Sequence, residues 1–463
     1  LSVCVALTAT GGAFTAVAQE NETTSAAVSA DASAEKEMIL RYSSPAENSI
    51  EGWKNSSLPL GNGYMGISLF SDPASDRIQI TEQSLYTTTT NAVNNRYSGG
   101  QESMADLYID TSVSFENTTN YKRTLSLNNA VANVSYSADG VDYSREYFSS
   151  YPDKVSVIKL TASGEGNLNF TLRPEIAYKR EKLDVSGANA DSKKSGTVFA
   201  DGETNTITLS GNSSYYDIDF EAQFKVILDG AGEIAAQNDS SLDNGTLSVS
   251  NANTAYVIFA VGTNYELTSD VFLNSIDRKQ RLAGNAHPHE KVSGYILNAS
   301  EKSYEELLNA HKADHKYYFD KARIDLGGAD DGRDTDALID SYQAGNDEKY
   351  LEELYFQMGR YMMIASSREG TLPPGLQAIW NAYEIAPWTA GYWYNVNQQM
   401  NYWPVFCANL GELYKSYSDF NLARLKQAQI NGDTFIKSFR TDKYEEGEGK
   451  NGWIVGTGNS AFS

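Results

Sequence analysis

Residues 220–228 read FEAQFKVIL, and this stretch decides the fold of the first half of the chain. Its apolar side chains stand at every second position, from Phe220 through Phe224 to Leu228. Successive side chains of a β-strand point to opposite faces, so this spacing predicts a strand with one buried face. Residues 132–136 repeat the pattern, whereas residues 256–261, YVIFAV, form an apolar run typical of a strand buried on both faces.

Turn signals separate these short apolar runs. They are Ala138-Asp139-Gly140, Asp201-Gly202, Gly211-Asn212 and Asp243-Asn244-Gly245. Many short strands with few helices between them predict a β-sandwich of two large antiparallel sheets, which we place at residues 38–290.

The period of the apolar pattern changes after about residue 300. Apolar residues recur at helical spacing at Leu351, Leu354, Tyr355, Met358, Tyr361, Met362 and Ala365. Asn346 and Asp347 precede them as possible N-caps. Further helices are predicted over residues 304–319, 400–417 and 421–439. The sequence therefore predicts a multidomain chain of β then α class, with a helical linker at 291–345 and a helical domain from 346 to 463.

Composition limits the classes of partner. The 463 residues carry a formal net charge of −23, which argues against binding to nucleic acid or to an anionic membrane surface. The 30 Tyr and 6 Trp side chains suit stacking on the apolar faces of sugar rings. These properties favour a neutral partner such as an oligosaccharide or glycan; the oligomeric state is not indicated.

The N-terminal stretch LSVCVALTATGGAFTAVAQE is apolar, uncharged and ends in small residues. This pattern predicts a secretory signal peptide at 1–18, followed by a flexible tether at 19–37 and a secreted or cell-surface location. Cleavage would remove Cys4 and leave Cys407, so no internal disulfide is expected. We predict Cys407 to be a buried, small apolar residue.

The densest run of aromatic and amide side chains lies between Trp380 and Pro404. In an extended segment Asn395 and Asn397 would point the same way and converge on one spot. The functional interpretation is that one or two of the tryptophans in this run stack on a sugar. The alternative is that they pack against the helix ends. Those tryptophans are Trp380, Trp388 and Trp393.

No metal or cofactor site is predicted. The histidines are His287, His289, His311 and His315. The last two stand four residues apart on a predicted helix but lack the glutamate of the zinc-protease motif, so we expect solvated surface histidines. The sequence has no glycine-rich phosphate loop of the expected form and no serine elbow of the G-x-S-x-G form.

Several segments in order resemble glycoside hydrolase family 95. They are LPLGNGYMG at 58–66, YKRTLSLNNAVANVSY, YYFDKARIDLG, and LYFQMGRYMMIASSREGTLPPGLQAIWN continuing to NVNQQMNYWP. The resemblance implies a β-sandwich, a helical linker and the start of a truncated (α/α)6 barrel with its active site at the barrel mouth.

Members of that family are inverting enzymes that remove terminal α-1,2-linked L-fucose, or α-linked L-galactose. The resemblance implies that Asn395 and Asn397 hold the attacking water. From the residues themselves we predict sugar contacts at Tyr394, at one or two of the three tryptophans, and at Asn62, for which a structural turn is the alternative. It places the general-acid glutamate and a water-polarising aspartate beyond Ser463, so the chain by itself is expected to be inactive.

The chain also departs from the family pattern. Trp393 stands where the family usually has histidine, and residues 456–459, GTGN, lack two usual histidines and an aspartate. Such losses change which sugar is accepted, because a site built for one hydrogen-bond pattern rejects another. A catalytically silent carbohydrate-binding or adhesion protein is one alternative. A glycoside phosphorylase ranks third, because the aromatic and amide run offers no phosphate pocket.

Overall fold

The computed structural model describes residues 36–87, 100–181, 192–239, 241 and 244–463. Glu37–Ser463 form one compact unit. The predicted signal peptide at 1–18 and the tether up to residue 35 lie outside the described residues, as does Asp243 of one predicted turn.

The first part of this unit consists of two antiparallel sheets. Their strands are β1 (Ile39–Tyr42), β2 (Leu58–Gly61), β3 (Met65–Leu69), β4 (Ser75–Thr87), β5 (Gly100–Asp110), β6 (Thr119–Ser126), β7 (Val131–Ala138), β8 (Val141–Ser150), β9 (Val155–Ala162), β10 (Leu168–Ile176), β11 (Lys194–Asp201), β12 (Thr206–Ser213), β13 (Ile218–Asp229), β14 (Glu233–Asp239), β15 (Asn244–Ala252) and β16 (Thr254–Thr263). One sheet has the order β1-β6-β7-β8-β9-β16-β13-β12-β11, and the other has the order β14-β15-β10-β5-β4-β3-β2.

The fold-deciding stretch is the centre of β13 and pairs antiparallel with β16, with Phe224 opposite Phe259. The rings of these two residues stack at 5.6 Å between centroids. Phe220 and Phe224 are fully buried between the sheets, as the alternating pattern predicts. The apolar run in β16 is buried on both faces because a second apolar cluster, with Val292 and Ile296 of the first linker helix, covers its outer side.

Helices follow the sandwich. They are α2 (His289–Ser300), α3 (Tyr304–Phe319), α4 (Thr335–Gln343), α5 (Lys349–Ser366), α6 (Asn397–Tyr402) and α7 (Tyr414–Phe439), while a short α1 (Ile50–Ser56) lies within the sandwich region. Two short strands, β17 (Tyr392–Trp393) and β18 (Gly458–Asn459), pair with each other in the helical part. The predicted order of a β-sandwich followed by helices is confirmed, whereas the predicted domain boundaries stay predictions.

Three local predictions are wrong. Gly211-Asn212 is not a turn but part of β12, where Gly211 lets the Phe220 ring and the Ser195 carbonyl approach closely. The predicted break between residues 417 and 421 is absent, because α7 continues from Tyr414 to Phe439. The N-cap of α5 is Glu348 rather than Asn346 or Asp347.

The glycines of LPLGNGYMG bring the sandwich against the helical part. A Cβ on Gly61 would lie 2.7 Å from the Ala365 carbonyl oxygen at the end of α5. Gly63 adopts φ 93°, a conformation that glycine reaches without strain, and its N–H donates to the same carbonyl. A Cβ on Gly66 would lie 2.5 Å from the Ile379 carbonyl oxygen. The motif is therefore explained by close backbone approach between the two parts.

The histidines of α3 are buried, so the expectation of solvated surface histidines is wrong for His311 and His315. His311 Nε2 lies 3.0 Å from the Asn129 and Ala130 carbonyl oxygens, and His315 Nε2 lies 2.7 Å from the Leu127 carbonyl oxygen. Carbonyl oxygens only accept, so Nε2 of each ring is the donor. Both imidazoles hold α3 against the sandwich.

Acid is expected to weaken this attachment. Burial lowers the pKa of His311 to about 4, and burial also lowers the pKa of His315. The folded state then binds fewer protons than the unfolded state, so this stability is present above about pH 6.5 and is lost as the pH falls towards 4. We expect the His311 contribution to the free energy of unfolding to fall by about 2 kcal/mol between pH 7 and pH 5. Urea unfolding of wild type and His311→Gln at both pH values measures it; an equal loss in the variant would contradict the assignment.

Candidate active site

The loop 367–396 between α5 and α6 is fastened to the sandwich at several points. The Asn381 carbonyl accepts from Gln79 Nε2 at 2.8 Å, and Asn381 Nδ2 donates to the Gln101 carbonyl at 2.7 Å. Tyr86 donates to the Ala390 carbonyl at 3.2 Å, and the Tyr86 ring stacks on Tyr392. Strands β4 and β5 therefore fix the position of the loop that leads into the site.

The tip of this loop is strained. Trp388, Thr389 and Ala390 have φ values of 53°, 64° and 46°, which is rare for residues with a side chain and most costly for the β-branched Thr389. Gly100 lies against it, and a Cβ there would be 2.4 Å from the Thr389 carbonyl oxygen. The contacts from the sandwich hold this conformation, which leaves the Trp388 side chain 49% exposed.

Trp388 forms an edge-to-face pair with Trp393, with centroids 5.6 Å apart and rings at 86°. Trp393 Nε1 donates to the Trp388 carbonyl at 3.0 Å. Trp393 also pairs with Gly458 in the β17–β18 ladder, where a Cβ on Gly458 would lie 3.4 Å from the indole. The segment in which the sequence departs from the family pattern thus lies directly beside Trp393.

Asn395 and Asn397 follow β17 in the chain. Asn395 is exposed in a turn, and Asn397 is the half-buried first residue of α6. The prediction that both lie in an extended segment is wrong, because Val396 between them has φ −170° and ψ −32°. Within the described part of the chain neither side-chain amide has a hydrogen-bond partner. Both amides are therefore available to a ligand or to water.

The buried guanidinium of Arg424 lies against Tyr394, the residue before Asn395. Arg424 of α7 stacks on the Tyr394 ring at 4.7 Å and donates through Nη2 to Asn459 Oδ1 at 2.6 Å. No described carboxylate forms an ion pair with Arg424, and its Nη1 is buried without a partner. The Tyr394 hydroxyl and both amide atoms of Gln398 are also buried and unpartnered. Sequence reasoning missed Arg424, which stands in no recognisable motif, and Gln398, which lies within NVNQQMNYWP but was not singled out.

Two predicted sugar contacts lie elsewhere. Asn62 is buried and uses both amide atoms inside the sandwich, accepting from the Met65 N–H at 3.0 Å and donating to the Ser150 carbonyl at 3.3 Å. Trp380 is 4% exposed, and its Nε1 donates to the Leu60 carbonyl at 2.9 Å. Asn62 therefore packs within the sandwich and Trp380 packs between the sandwich and the helical part, and their role as substrate contacts stays a prediction.

Cys407 is exposed rather than buried, and its thiol lies 3.2 Å from the Pro404 carbonyl oxygen. Over the described ranges no group of three or more His, Cys, Asp or Glu side chains could hold a metal ion. No helix among the described residues is long and apolar enough to cross a membrane.

The sequence matches two families in order. The profile described as "Glycosyl hydrolase family 65, N-terminal domain" matches residues 40–100 and 86–268, which cover the sandwich. The profile described as "Glycosyl hydrolase family 95 catalytic domain" matches residues 303–462, which contain the loop, the tryptophan pair and both asparagines.

Curated relatives agree with this assignment. The chain is 28% identical over 448 residues to "Alpha-L-fucosidase 2" of Arabidopsis thaliana, which covers 85% of this chain and 50% of that protein. It is 31% identical over 324 residues to "Probable alpha-fucosidase A" of Aspergillus niger, which covers 68% of this chain and 37% of that protein. The chain thus spans half or less of the length of these two relatives.

The fold resembles that of a solved structure, "Putative kojibiose phosphorylase from human microbiome". The TM-score is 0.52 at 13% sequence identity, over 81% of this chain and 47% of the other. This likeness concerns the fold alone. The catalytic-domain profile falls on the residues that form the candidate site and fucosidases are among the relatives, so this part of the chain is similar to glycoside hydrolase family 95.

Proposed function

We propose that the protein carrying this chain is an exo-acting glycoside hydrolase that removes terminal α-1,2-linked L-fucose, or α-linked L-galactose, from oligosaccharides or glycans with inversion. Asn395 and Asn397 hold the attacking water through their amide oxygens. The observation that carries this proposal is that both amides stand unpartnered a few residues after the Trp388–Trp393 pair, in the region that matches the family 95 catalytic domain. Its relatives that are named as fucosidases support the choice of sugar.

Inversion needs a general acid on the leaving oxygen and an activated water on the opposite face of the sugar. An amide oxygen accepts hydrogen bonds but is scarcely basic, so the asparagines orient the water and a carboxylate must draw off its proton. The proposal assigns that aspartate and the general-acid glutamate to chain beyond Ser463. The buried Arg424 supports this assignment, because a guanidinium without a carboxylate is costly and a carboxylate from elsewhere would pair with it.

The test uses the full-length protein and a lactose-based trisaccharide that carries terminal α-1,2-linked fucose, with NMR detection of the anomeric proton of the released sugar. First appearance of β-L-fucose supports the proposal. Release of L-galactose only, from an α-L-galactoside, keeps the mechanism and changes the sugar. Cleavage that requires inorganic phosphate and yields a sugar phosphate would replace hydrolysis by phosphorolysis. Absence of cleavage of either substrate would favour the carbohydrate-binding alternative.

The tryptophans are expected to separate into structural and binding classes. Trp393→Ala removes the partly buried member of the Trp388–Trp393 pair, so we expect KM to rise about tenfold. Trp380→Phe removes a buried hydrogen bond at the interface, so we expect a loss of about 1–2 kcal/mol in the free energy of unfolding with KM unchanged. Michaelis kinetics and urea unfolding of both variants check the split, and a raised KM in Trp380→Phe would contradict it.

We also propose that the protein is exported, on the apolar, small-residue pattern of residues 1–18. Mass spectrometry of the protein from the culture medium is expected to find a mature N-terminus near Gln19. Retention of residues 1–18 would overturn the proposal.

A further inference from the structure

Arg424 links three segments of the helical part that are far apart in the chain. Its guanidinium lies over the ring of Tyr394, the residue before Asn395, and its Nη2 donates to Asn459 Oδ1 at 2.6 Å. A guanidinium can stack through its plane and donate hydrogen bonds within that plane, whereas the ammonium of lysine is a point charge. Arginine is therefore suited to hold an aromatic ring and an amide in one fixed arrangement.

Asn459 continues this link through the other atom of its amide group. Its Nδ2 donates to the Gly456 carbonyl at 2.6 Å and so closes a short loop. Within that loop the Thr457 carbonyl accepts from the Tyr394 N–H at 2.7 Å. The peptide that leads into Asn395 is therefore bonded to a loop that Asn459 holds in shape.

The sandwich and the segment after β16 hold the other end of this loop. Phe462 is fully buried, and its ring stacks on that of Tyr216 at 3.9 Å between centroids. Tyr265 donates to the Ala461 carbonyl at 2.7 Å, and Arg281 Nη1 donates to the Phe462 carbonyl at 2.5 Å. The end of the loop next to the candidate site is therefore the end that the amide and the guanidinium hold.

The burial of Arg424 costs stability. The side chain is 4% exposed, and burial lowers the pKa of its guanidinium. No described carboxylate forms an ion pair with it, and an amide oxygen and aromatic rings offset part of the cost of burying a cation. An apolar side chain of similar length would fill the space at a lower cost, so packing alone does not account for an arginine at this position.

We propose that Arg424 and Asn459 are a positioning pair for the candidate active site. Through the Tyr394 ring and the Thr457 carbonyl they fix the peptide from which Asn395 extends. They thereby align the water that the proposed mechanism places on the two asparagines, and in this respect the inference rests on the proposed function. The link between the pair and the peptide does not depend on hydrolysis, since it requires only the contacts described above.

Steady-state kinetics and hydrogen exchange on the full-length protein test the two parts separately. Arg424→Lys keeps the charge but loses the planar fork, and Asn459→Ala removes the amide. The matched control is Asn431→Ala on α7, which removes the hydrogen bond from the Asn431 amide to the Ile454 carbonyl at 3.3 Å. Melting temperatures show whether each variant is folded, and the partly buried Asn459 carries the test if Arg424→Lys is not.

We expect kcat on the fucosylated trisaccharide to fall about 10–100-fold in Arg424→Lys and in Asn459→Ala, with KM changed by less than about threefold. The double variant should fall no further than the worse single variant, because residues that act as a unit are not additive. Asn431→Ala should keep the wild-type kcat. Exchange of the Tyr394 amide, followed by mass spectrometry, should become about tenfold faster in both variants and stay unchanged in the control.

Faster exchange at Tyr394 in a protein that hydrolyses neither sugar would uphold the positioning link while the proposed function fails. If the wild type hydrolyses its substrate, then wild-type kcat in Arg424→Lys and Asn459→Ala would overturn the inference, and so would losses that multiply in the double variant. Reduced kcat with unchanged exchange at Tyr394 would also overturn it, because the effect would then not pass through this peptide.

Discussion

Replacing Asn395 or Asn397 by alanine in the full-length protein is expected to lower kcat by about 10²–10³-fold while leaving the melting temperature nearly unchanged. The activity falls because a water held by one amide instead of two loses its alignment with the anomeric carbon, and misplacement of a reacting group by an ångström costs on this scale. Stability is retained because neither amide bonds to the fold in the described chain. Initial rates on the α-1,2-fucosylated trisaccharide and thermal unfolding measure the two effects.

Asn346→Ala supplies the matched control. Asn346 is an exposed asparagine in the helical part whose amide donates to Ser341 Oγ at 3.0 Å, far along the chain from the candidate site. Its replacement should leave kcat and KM unchanged. If Asn395→Ala and Asn397→Ala retained wild-type kcat, the water would have to be held by other groups and the proposed mechanism would be lost.

The candidate site was partly predictable because composition marks it. The run that contains Asn395, Asn397 and three tryptophans is unusual in any chain, and its richness in amides and indoles points to sugar chemistry whatever the fold. The exposure of each member was not predictable in the same way. Trp380 and Trp388 belong to the same run, yet one packs under the sandwich and the other stands 49% exposed. That difference arises from the neighbours supplied by β2 and β5, which no local pattern encodes.

Long-range pairing explains the other parts that the sequence did not reveal. The β17–β18 ladder joins Trp393 to Gly458 across more than sixty residues, and two-residue strands carry no alternating pattern. Arg424 is one basic residue on an amphipathic helix, where a solvated position is the ordinary expectation. Its burial follows from the aromatic rings of Tyr394 and Phe420, which lie at 4.7 and 5.1 Å from its guanidinium carbon.

The fold was more predictable because periodicity reports burial directly. The alternation in β13 and the helical spacing in α5 each extend over enough residues to outweigh local exceptions. The wrong predictions occur where a short sequence signal is compatible with two different local structures. Gly211-Asn212 has the residues of a turn, but here glycine serves the close packing of two strands and the Phe220 ring. The polar residues between 417 and 421 have the composition of a break, but there Asp419 accepts from Lys415 one turn earlier and α7 continues.

The largest stability effect is expected at Asp76, because this carboxylate joins the two sheets through the interior. Asp76 lies on β4 in the seven-stranded sheet, whereas Arg145 and Tyr147 lie on β8 in the nine-stranded sheet. Asp76 Oδ2 accepts from Arg145 Nη1 at 3.1 Å and from the Tyr147 hydroxyl, and Asp76 Oδ1 accepts from the Ser71 N–H at 2.7 Å. The side chains of Asp76 and Arg145 are 0% and 3% exposed.

Asp76→Asn keeps the shape of the side chain but removes the charge, and it leaves the Arg145 guanidinium buried without a counter-ion. We expect the free energy of unfolding to fall by about 3–5 kcal/mol, as for other buried pairs broken on one side. Asp419→Asn breaks a shorter ion pair, 2.5 Å long, between side chains that are 50% and 30% exposed, and it should cost about 0.5 kcal/mol or less. Urea unfolding of the two variants provides the comparison.

The same argument predicts how the loss could be reversed. Adding Arg145→Met to Asp76→Asn removes the uncompensated cation, so the double variant should be more stable than Asp76→Asn alone. Equal losses in Asp76→Asn and Asp419→Asn would show that water reaches Arg145 and solvates it between the sheets. A large loss that Arg145→Met restores would establish that the penalty comes from the unpaired charge, and that the two sheets are joined at this point by a charge pair within an otherwise apolar core.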